Sequence, residues 1–320
     1  MNFKKAPAWL LCRCLEGVFF IYLAFLRLLP ANLFRRLTTP PLKILISVLV
    51  PRRRIIRNLS AAFGETYSWA TKNGLAKGVQ DHFVRNLMDC FLQMASAAHT
   101  RAAVTIEGRE NLEAGLAKGR GVIALGAHIG NFVLVGTRLG MEGYPFSTLF
   151  RIPSDPRIAN IIHRYLPCFY QRVISSRPRR AAVREILGRL KKNEIVFILG
   201  DNLKRGKVET VLFGQRVFSP RGPVSLALRS GAAVIPMHLI RNYQGGLQLV
   251  IEPEIPLIKS ANLHEDITAN THQIVGYLET LISRYPDQWN WLTVRMKRYR
   301  GRAGRADAKS DMKRTIRQPE

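Results

Sequence analysis

Acidic residues and cysteine are both scarce in this sequence. It contains 22 Asp and Glu against 49 Lys and Arg, which gives a formal net charge of +27 over 320 residues. Such an excess favours an anionic partner, whether nucleic acid, an acidic membrane surface or an acidic carrier protein. The four cysteines show neither paired metal spacing nor a disulfide framework, which is typical of a reducing compartment.

Several motifs that would define a function class are also missing. We find no zinc-finger spacing, no RNP-like aromatic motif and no compact recognition helix, so we expect no nucleic-acid partner. The histidines outside the central motif have no metal-ligand spacing, and the sequence predicts neither a metal nor a cofactor. The hydrophobic content of 47% at this length is enough for a full core, either one large α/β domain or two small ones.

Long hydrophobic runs are scarce as well. A membrane-spanning helix needs about 20 apolar residues, whereas the run at 17–29 is shorter and contains Arg27. A second run, at 42–50, lies between two prolines. We predict that residues 1–57 form a membrane-anchoring or interfacial segment, with a buried helical hairpin as the alternative. The basic residues after the first run place the rest of the protein on the cytoplasmic face of the inner membrane: Arg35, Arg36, Lys43, Arg52, Arg53, Arg54 and Arg57.

Residues 58–300 alternate short apolar runs with amphipathic helical patterns. This alternation predicts an α/β domain with a mixed, mostly parallel sheet and helices on both faces. The tail at 301–320 is polar and basic, and we expect it to be disordered. The predicted buried strands are 122–125, 195–199, 233–239 and 247–251, and the clearest helices are 179–191 and 264–284.

One stretch organises the rest of the chain. The buried strand at 122–125 leads to His128, and Gly130 and Asn131 then open a helical segment at 132–139. Open α/β sheets bind ligands outside the carboxyl ends of their strands, and free amides at a helix N-terminus favour negative charge. His128 is therefore a candidate general base, beside amides around Gly130 and Asn131 that would stabilise an oxyanion. The alternative is a histidine that only hydrogen-bonds a loop carbonyl.

Other polar residues have two interpretations each. Asp201 follows the strand at 195–199 and points to the same sheet edge as His128. It is either a residue of the site or an aspartate that caps a helix or stabilises a turn. Arg221 contacts an acceptor head group or simply precedes a helix. Trp289 and Trp291, with Arg295 and Lys297 after them, suit either a membrane interface or aromatic core packing.

Short motifs occur in a defined order between residues 52 and 300. They are Arg57-Asn58-Leu59, Glu107-Gly108-Arg109-Glu110-Asn111-Leu112, Ala127-His128-Ile129-Gly130-Asn131-Phe132, Leu149-Phe150-Arg151, Leu199-Gly200-Asp201-Asn202, Phe213-Gly214, Arg221-Gly222-Pro223 and residues 289–297. In this order they resemble the bacterial lipid A late acyltransferases, the lauroyl and myristoyl transferases. This family lies within the wider group of lysophospholipid and glycerol-phosphate acyltransferases.

The resemblance implies a glycerol-phosphate acyltransferase-like fold and an O-acyltransferase activity. A fatty acyl chain would move from acyl carrier protein, or acyl-CoA, to a hydroxyl of a lipid A precursor or a related glycolipid or lysolipid. The thioester donor is already activated, so no metal or nucleotide is implied. His128 would be the catalytic base, and the substrate-binding residues would be Gly130, Asn131, Arg151, Asp201 and Arg221. Arg151 would hold a phosphate or the thioester region of the donor.

One departure from the family pattern is central. The family has Asp or Glu five residues after the histidine, where it orients the imidazole, and this chain has Val133. Loss of the orienting carboxylate in a serine-protease triad costs about 10⁴-fold in rate. Three interpretations follow. In the first, another carboxylate (Asp201, Glu209 or Asp89) replaces the missing one. In the second, Asn131 or a backbone carbonyl orients the imidazole. In the third, the chain is an inactive lipid-binding homologue.

Overall fold

The protein is known from a computed structural model that describes residues 30–96, 99–153, 155–203 and 206–294, together with residues 17, 21 and 28. Most of the apolar run at 17–29 lies outside the described residues, as do Arg295, Lys297 and the tail at 301–320. Among the described helices, none combines the length and the apolar character needed to cross a bilayer.

Nine strands occur in the described chain. They are β1 Val104–Glu107, β2 Val122–Gly126, β3 Phe146–Phe150, β4 Arg172–Ser175, β5 Ile195–Leu199, β6 Val208–Leu212, β7 Gln215–Ser219, β8 Ala233–Arg241 and β9 Leu247–Ile251. Seven form one sheet in the order β1-β9-β8-β2-β5-β3-β4, while β6 and β7 form a separate hairpin. Only the β8–β9 pair of the large sheet is antiparallel, so the prediction of a mixed, mostly parallel sheet is confirmed.

Ten α-helices and one 3₁₀ helix (Leu166–Phe169) accompany the strands in the described chain. The α-helices are α1 Ala31–Leu49, α2 Arg52–Phe63, α3 Trp69–Ala95, α4 His99–Ala103, α5 Arg109–Ala117, α6 Val133–Gly140, α7 Pro156–Tyr165, α8 Arg179–Lys191, α9 Gly222–Ser230 and α10 Leu263–Arg284. Helices cover both faces of the sheet. Successive residues of β2 show this, because Val122 and Ala124 join one core cluster while Ile123 and Leu125 join the other.

The second apolar run forms the C-terminal half of α1, which continues through Pro40 and Pro41. One side of α1 packs on α3 and buries Phe34 and Ile46. The opposite side leaves large apolar side chains in solvent, so residues 31–49 do not form a fully buried hairpin: Leu33, Leu37, Ile44, Leu45, Val48 and Leu49. Residue 57, the predicted domain boundary, lies inside α2, whose Ile55 and Leu59 are fully buried in the core.

Helix α3 contacts the carboxyl edge of the sheet. Its N-terminus is capped by Ser68, whose hydroxyl accepts a hydrogen bond from the Thr71 amide at 3.1 Å. Further along α3, Asn86 Nδ2 donates to the carbonyl oxygen of Gly130 at 2.8 Å. This bond ties α3 to the loop between β2 and α6, where His128 lies.

Candidate active site

Two neighbouring parallel strands bring His128 and Asp201 together. In the pairing of β2 with β5, Gly126 lies opposite Leu199, and each polar residue follows its strand by two positions. His128 Nδ1 lies 2.8 Å from Asp201 Oδ1, and the His128 backbone N–H donates to Asp201 Oδ2 at 2.8 Å. Because the strand register sets this geometry, the imidazole and the carboxylate are positioned by the core of the protein.

Asp201 is fully buried and remains ionised. Burial by itself would raise its pKa, but the nearby His128 charge and hydrogen bonds from His128 and Trp289 lower that pKa overall. The Trp289 indole Nε1 donates to Oδ2 at 2.9 Å. The sequence grouped Asp201 with the substrate-binding residues. Its carboxylate has no exposed oxygen to offer a substrate and instead holds the imidazole.

His128 has the environment of a general base. Burial lowers the pKa of its imidazole, but the charge and hydrogen bond of Asp201 outweigh burial, so the pKa is raised. With Nδ1 donating to the carboxylate, Nε2 carries the free lone pair. The side chain is 28% exposed, and the Phe132 ring packs edge-on against it at 5.1 Å between centroids. A partly open imidazole with a fixed tautomer can accept a proton from a bound hydroxyl.

Of the three interpretations of Val133, the geometry matches the one in which another carboxylate serves the imidazole. Asp201 occupies Nδ1 from the β5 side, so no carboxylate at position 133 is needed to orient the ring. The other two candidates are engaged elsewhere: Glu209 pairs with Arg216, and Asp89 pairs with Arg241. The Asn131 side chain does not orient the ring either, because its amide donates to the Asn86 carbonyl.

The oxyanion donors were expected among the amides around Gly130 and Asn131. The amide of Gly130 donates to the Gln288 carbonyl at 3.0 Å, and that of Asn131 donates to the Leu239 carbonyl at 2.8 Å. Both donors are therefore occupied. The next two amides, of Phe132 and Val133, make no hydrogen bond to any group in the described chain and lie at the N-terminus of α6. They are better candidates for an anion site, because the first amides of a helix have no intrahelical acceptor.

Two adjoining cavities meet beside the imidazole. His128 lines a cavity of about 230 Å³, together with Ile46 of α1, apolar and polar side chains of α3, and polar side chains of the segment after α10. A second cavity of about 340 Å³ shares Leu87, Phe132 and Val133 with the first. The remaining walls of the second cavity are almost wholly apolar: Phe91, Met94, Thr148, Phe150, Ile161, Ile162, Tyr165, Leu166, Phe169, Gln171 and Val173. The imidazole thus faces a compartment with both polar and apolar walls, which adjoins an almost wholly apolar one.

Sequence reasoning missed several residues of the first cavity. His82 lines it and lies 3.3 Å from the Asp287 carboxylate, measured from Nε2 to Oδ2. Asn86 follows four residues later on the same face of α3, a helical spacing that gives the only sequence signal for this pair. Gln288 and Asn290 also line the cavity. Nothing in the local sequence distinguishes Gln288 from an ordinary loop residue, whereas Asn290 lies within the family-like motif at 289–297.

The other predicted site residues lie in different places. Gly130 and Asn131 line the His128 cavity, whereas the described side chains of Arg151 and Arg221 do not line it. Arg151 is exposed just beyond β3, and Arg221 precedes α9 on another surface. Trp289 and Trp291 are both fully buried and contact each other edge-on at 4.7 Å between ring centroids, so aromatic core packing applies to both.

Comparison with known proteins agrees with the motif order. The family model described as "Bacterial lipid A biosynthesis acyltransferase" matches residues 8–298, which confirms the resemblance. The chain is 25% identical over 186 residues to a phosphatidylinositol mannoside acyltransferase of Mycolicibacterium smegmatis, covering 57% of this chain and 59% of that protein. It is 26% identical over 190 residues to the protein of the same name from Mycobacterium tuberculosis, covering 58% of each. The matches therefore span about three fifths of these curated relatives.

Proposed function

Because the chain belongs to the bacterial lipid A biosynthesis acyltransferase family, we propose that it is an O-acyltransferase. It moves a fatty acyl chain from acyl carrier protein or acyl-CoA to a hydroxyl of a lipid A precursor or a related glycolipid. The observation that carries the proposal is the His128–Asp201 pair, which faces a cavity with polar and apolar walls that adjoins an almost wholly apolar one. An inactive homologue would have no need of the ionised, fully buried carboxylate behind the imidazole.

The proposed reaction follows from the positions of these groups. His128 Nε2 takes the proton of the acceptor hydroxyl as the hydroxyl oxygen attacks the thioester carbonyl carbon. The carbonyl oxygen becomes an oxyanion, which the free amides of Phe132 and Val133 stabilise. The tetrahedral intermediate then expels the thiolate, which receives the proton from the imidazolium. Asp201 stays ionised throughout and offsets the charge that forms on His128.

We assign the fatty acyl chain to the second cavity. Its apolar walls suit a hydrocarbon, and burial of each CH₂ group contributes about 0.8 kcal/mol. Phe132 and Val133 border both cavities, so the carbon next to the thioester lies beside the imidazole when the chain occupies the second cavity. The first cavity, with polar side chains such as Asn86 and Asn290, receives the acceptor hydroxyl.

We assign the acceptor's approach to the side of α1. The exposed apolar side chains of this helix alternate with exposed cations at Arg35 and Arg36, a pattern typical of helices that lie in the headgroup region. Ile46 of α1 is buried and lines the His128 cavity, whereas Ile44 and Val48 face solvent. A helix with one side in the membrane and the other in the cavity brings an anionic lipid close to the imidazole.

The direct test is turnover by the purified protein. Acyl carrier protein and CoA thioesters are offered as donors with lysolipid or glycolipid acceptors, and products are identified by mass spectrometry. We expect acyl transfer by the wild type and a loss of more than about 10³-fold in His128→Gln, because the base is removed while the polar side chain is kept. Retention of full activity by His128→Gln would exclude the proposed mechanism, and no transfer by the wild type to any acceptor would contradict the function.

A further inference from the structure

Helices α8 and α9 form a groove with an unusual charge. Six exposed arginines surround it, and none has an acidic partner in the described chain: Arg177, Arg179, Arg180, Arg184, Arg221 and Arg229. We call this surface the arginine groove. It comprises two cavities of about 680 and 410 Å³ that share Arg179, Val183 and Arg229. Among the residues that the structure describes, no acidic side chain lines either cavity.

Several arginines outside the groove form ion pairs, although others, such as Arg53 and Arg54 of α2, also have no acidic partner in the described chain. On the same helix α8, Arg189 near the C-terminal end pairs with both Glu185 and Glu194. Elsewhere on the described surface, Arg109 pairs with Glu142 and Arg284 pairs with Glu252. Six like charges without counter-charges repel one another and destabilise the compact state. Such a cluster indicates a binding surface for an anionic partner.

The floor of the groove is apolar and adjoins the acyl cavity. Leu149 of β3 lines the groove, while the next residue, Phe150, lines the acyl cavity on the other face of the sheet. Helix α8 follows β4, so its N-terminal end lies at the same carboxyl edge of the sheet as His128. His128 follows β2, two strands from β3, which is a lateral distance of about 10 Å at the usual strand spacing.

From these observations we infer that the arginine groove docks the acidic helical face of an acyl carrier protein, which then extends its thioester arm over the end of β3 to His128. This inference rests on the proposed function and assigns its donor. Arg179 to Arg184 extend along α8 over about 7.5 Å at 1.5 Å per residue. Arg177 lies just before the helix, and apolar Ala182, Val183 and Ile186 lie between or below the arginines. An acidic amphipathic helix presents the complementary pattern along a comparable length.

Two other anionic partners fit the groove less well. The phosphates of a nucleotide concentrate their charge at one point, whereas these arginines are spread along two helices. A membrane surface would be met by large exposed apolar side chains, as on α1. The described residues of α8 and α9 have none of these, and of the described residues that line the groove only Leu263 of α10 is a large exposed apolar one.

The test uses charge reversal at the two ends of one helix. Arg180→Glu/Arg184→Glu reverses two groove arginines, and Lys191→Glu/Lys192→Glu reverses two exposed lysines at the far end of α8, so both variants have the same net charge. We expect the groove variant to weaken binding of the carrier protein with its free thiol arm by at least tenfold and to abolish most of its salt dependence. KM for the acyl-carrier donor should rise to the same extent, with kcat changed less than twofold. The lysine variant should match the wild type.

Each other outcome overturns the inference. If the groove variant raises KM for acyl-CoA as much as for the acyl-carrier donor, the groove binds a donor nucleotide or phosphate. If it only lowers sedimentation with vesicles containing anionic lipid, the groove binds the membrane. Equal effects of the two variants would indicate non-specific charge attraction. The carrier binding assay needs no turnover, so its result is independent of whether the proposed reaction occurs.

Discussion

His128 Nδ1 and Asp201 Oδ1 lie 2.8 Å apart, although 73 residues separate them in the chain. The pair forms because β2 and β5 are adjacent in the sheet and each residue follows its strand by two positions. A carboxylate from the neighbouring strand therefore serves the imidazole, in place of the carboxylate that the family has at the position of Val133. The orienting group is supplied by the sheet rather than by the helix after the histidine.

Asp201→Asn should lower both the activity and the pKa of His128. The carboxylate raises the pKa of the imidazole above its ordinary value of 6.5, while burial lowers it. In the variant only burial acts on the imidazole, so the pKa of His128 falls below its wild-type value. The increase of kcat/KM with pH therefore occurs at lower pH. The plateau should fall by about 10³–10⁴-fold, as in a triad that loses its orienting carboxylate. The measurement is kcat/KM from about pH 5 to 9, the range over which histidine titrates.

Trp289→Phe is a milder change for comparison with Asp201→Asn. It keeps a buried aromatic ring and the Asp201 carboxylate, and it removes only the hydrogen bond from the indole to Asp201 Oδ2. The pKa of Asp201 rises towards its ordinary value, and we expect a loss of about tenfold for one charge-assisted bond. If Asp201→Asn kept nearly the wild-type kcat/KM, and if kcat/KM rose over the same pH range as in the wild type, the His128–Asp201 pair would have no part in the reaction.

Val133→Glu should not increase activity. Asp201 already holds Nδ1, and a carboxylate at position 133 would lie beside the free amide that we assign to the oxyanion. Its negative charge opposes the charge that forms there, so we expect kcat to fall about tenfold, or about 1.4 kcal/mol. Val133→Leu keeps the position apolar and should remain within about threefold of the wild type. A gain of activity in Val133→Glu would indicate that the wild-type imidazole lacks an effective partner.

Much of the fold was predictable from apolar runs. The predicted strands at 195–199 and 247–251 and the helix at 179–191 match the structure residue for residue. The β6–β7 hairpin was missed because its two-residue turn is Phe213-Gly214, with φ of 51° and 68°. A phenylalanine with positive φ is not among the usual signals of such a turn. Strand β4 has only four residues, too few for an alternation of apolar and polar side chains to be recognised in the sequence.

The active site was only partly predictable. The sequence placed His128 and Asp201 at one sheet edge, but it could not show that β2 and β5 are neighbours, because β3 and β4 lie between them in the chain. The same limit applies to Trp289, which reaches Asp201 from the segment after α10. The sequence also could not show which amides around Gly130 and Asn131 are free to bind an oxyanion. The carbonyls of Gln288 and Leu239 occupy the earlier amides only in the folded chain.

Ile162→Trp should shorten the acyl chain that the protein prefers. Ile162 lines the apolar cavity from α7, and a larger ring there removes volume from a cavity of about 340 Å³. Each CH₂ group that no longer fits costs about 0.8 kcal/mol, which is about fourfold in kcat/KM. The measurement is kcat/KM for a series of donors that differ only in chain length. Ile158→Trp is the control, because Ile158 is on the same helix but exposed, and it should leave the length profile unchanged. Parallel profiles in the two variants would place the acyl chain elsewhere.

Gly130→Ala should destabilise the protein far more than Gly143→Ala. Both glycines have positive φ, 52° and 89°, so alanine at either position adds backbone strain of about 1–2 kcal/mol. A Cβ on Gly130 would also lie 1.9 Å from the Leu239 carbonyl oxygen, whereas a Cβ on Gly143 would meet no atom within 4 Å.

For Gly130→Ala the loop must move away from β8, which breaks the bond from the Asn131 amide to Leu239 and shifts His128 from Asp201. We expect the free energy of unfolding to fall by about 3 kcal/mol or more, with activity lost in the molecules that remain folded. Denaturant unfolding measures the first effect, and turnover well below the transition measures the second. Equal losses of stability in the two variants would show that the close approach of Gly130 to β8 has no role in positioning the imidazole, and that strain in φ alone accounts for the change.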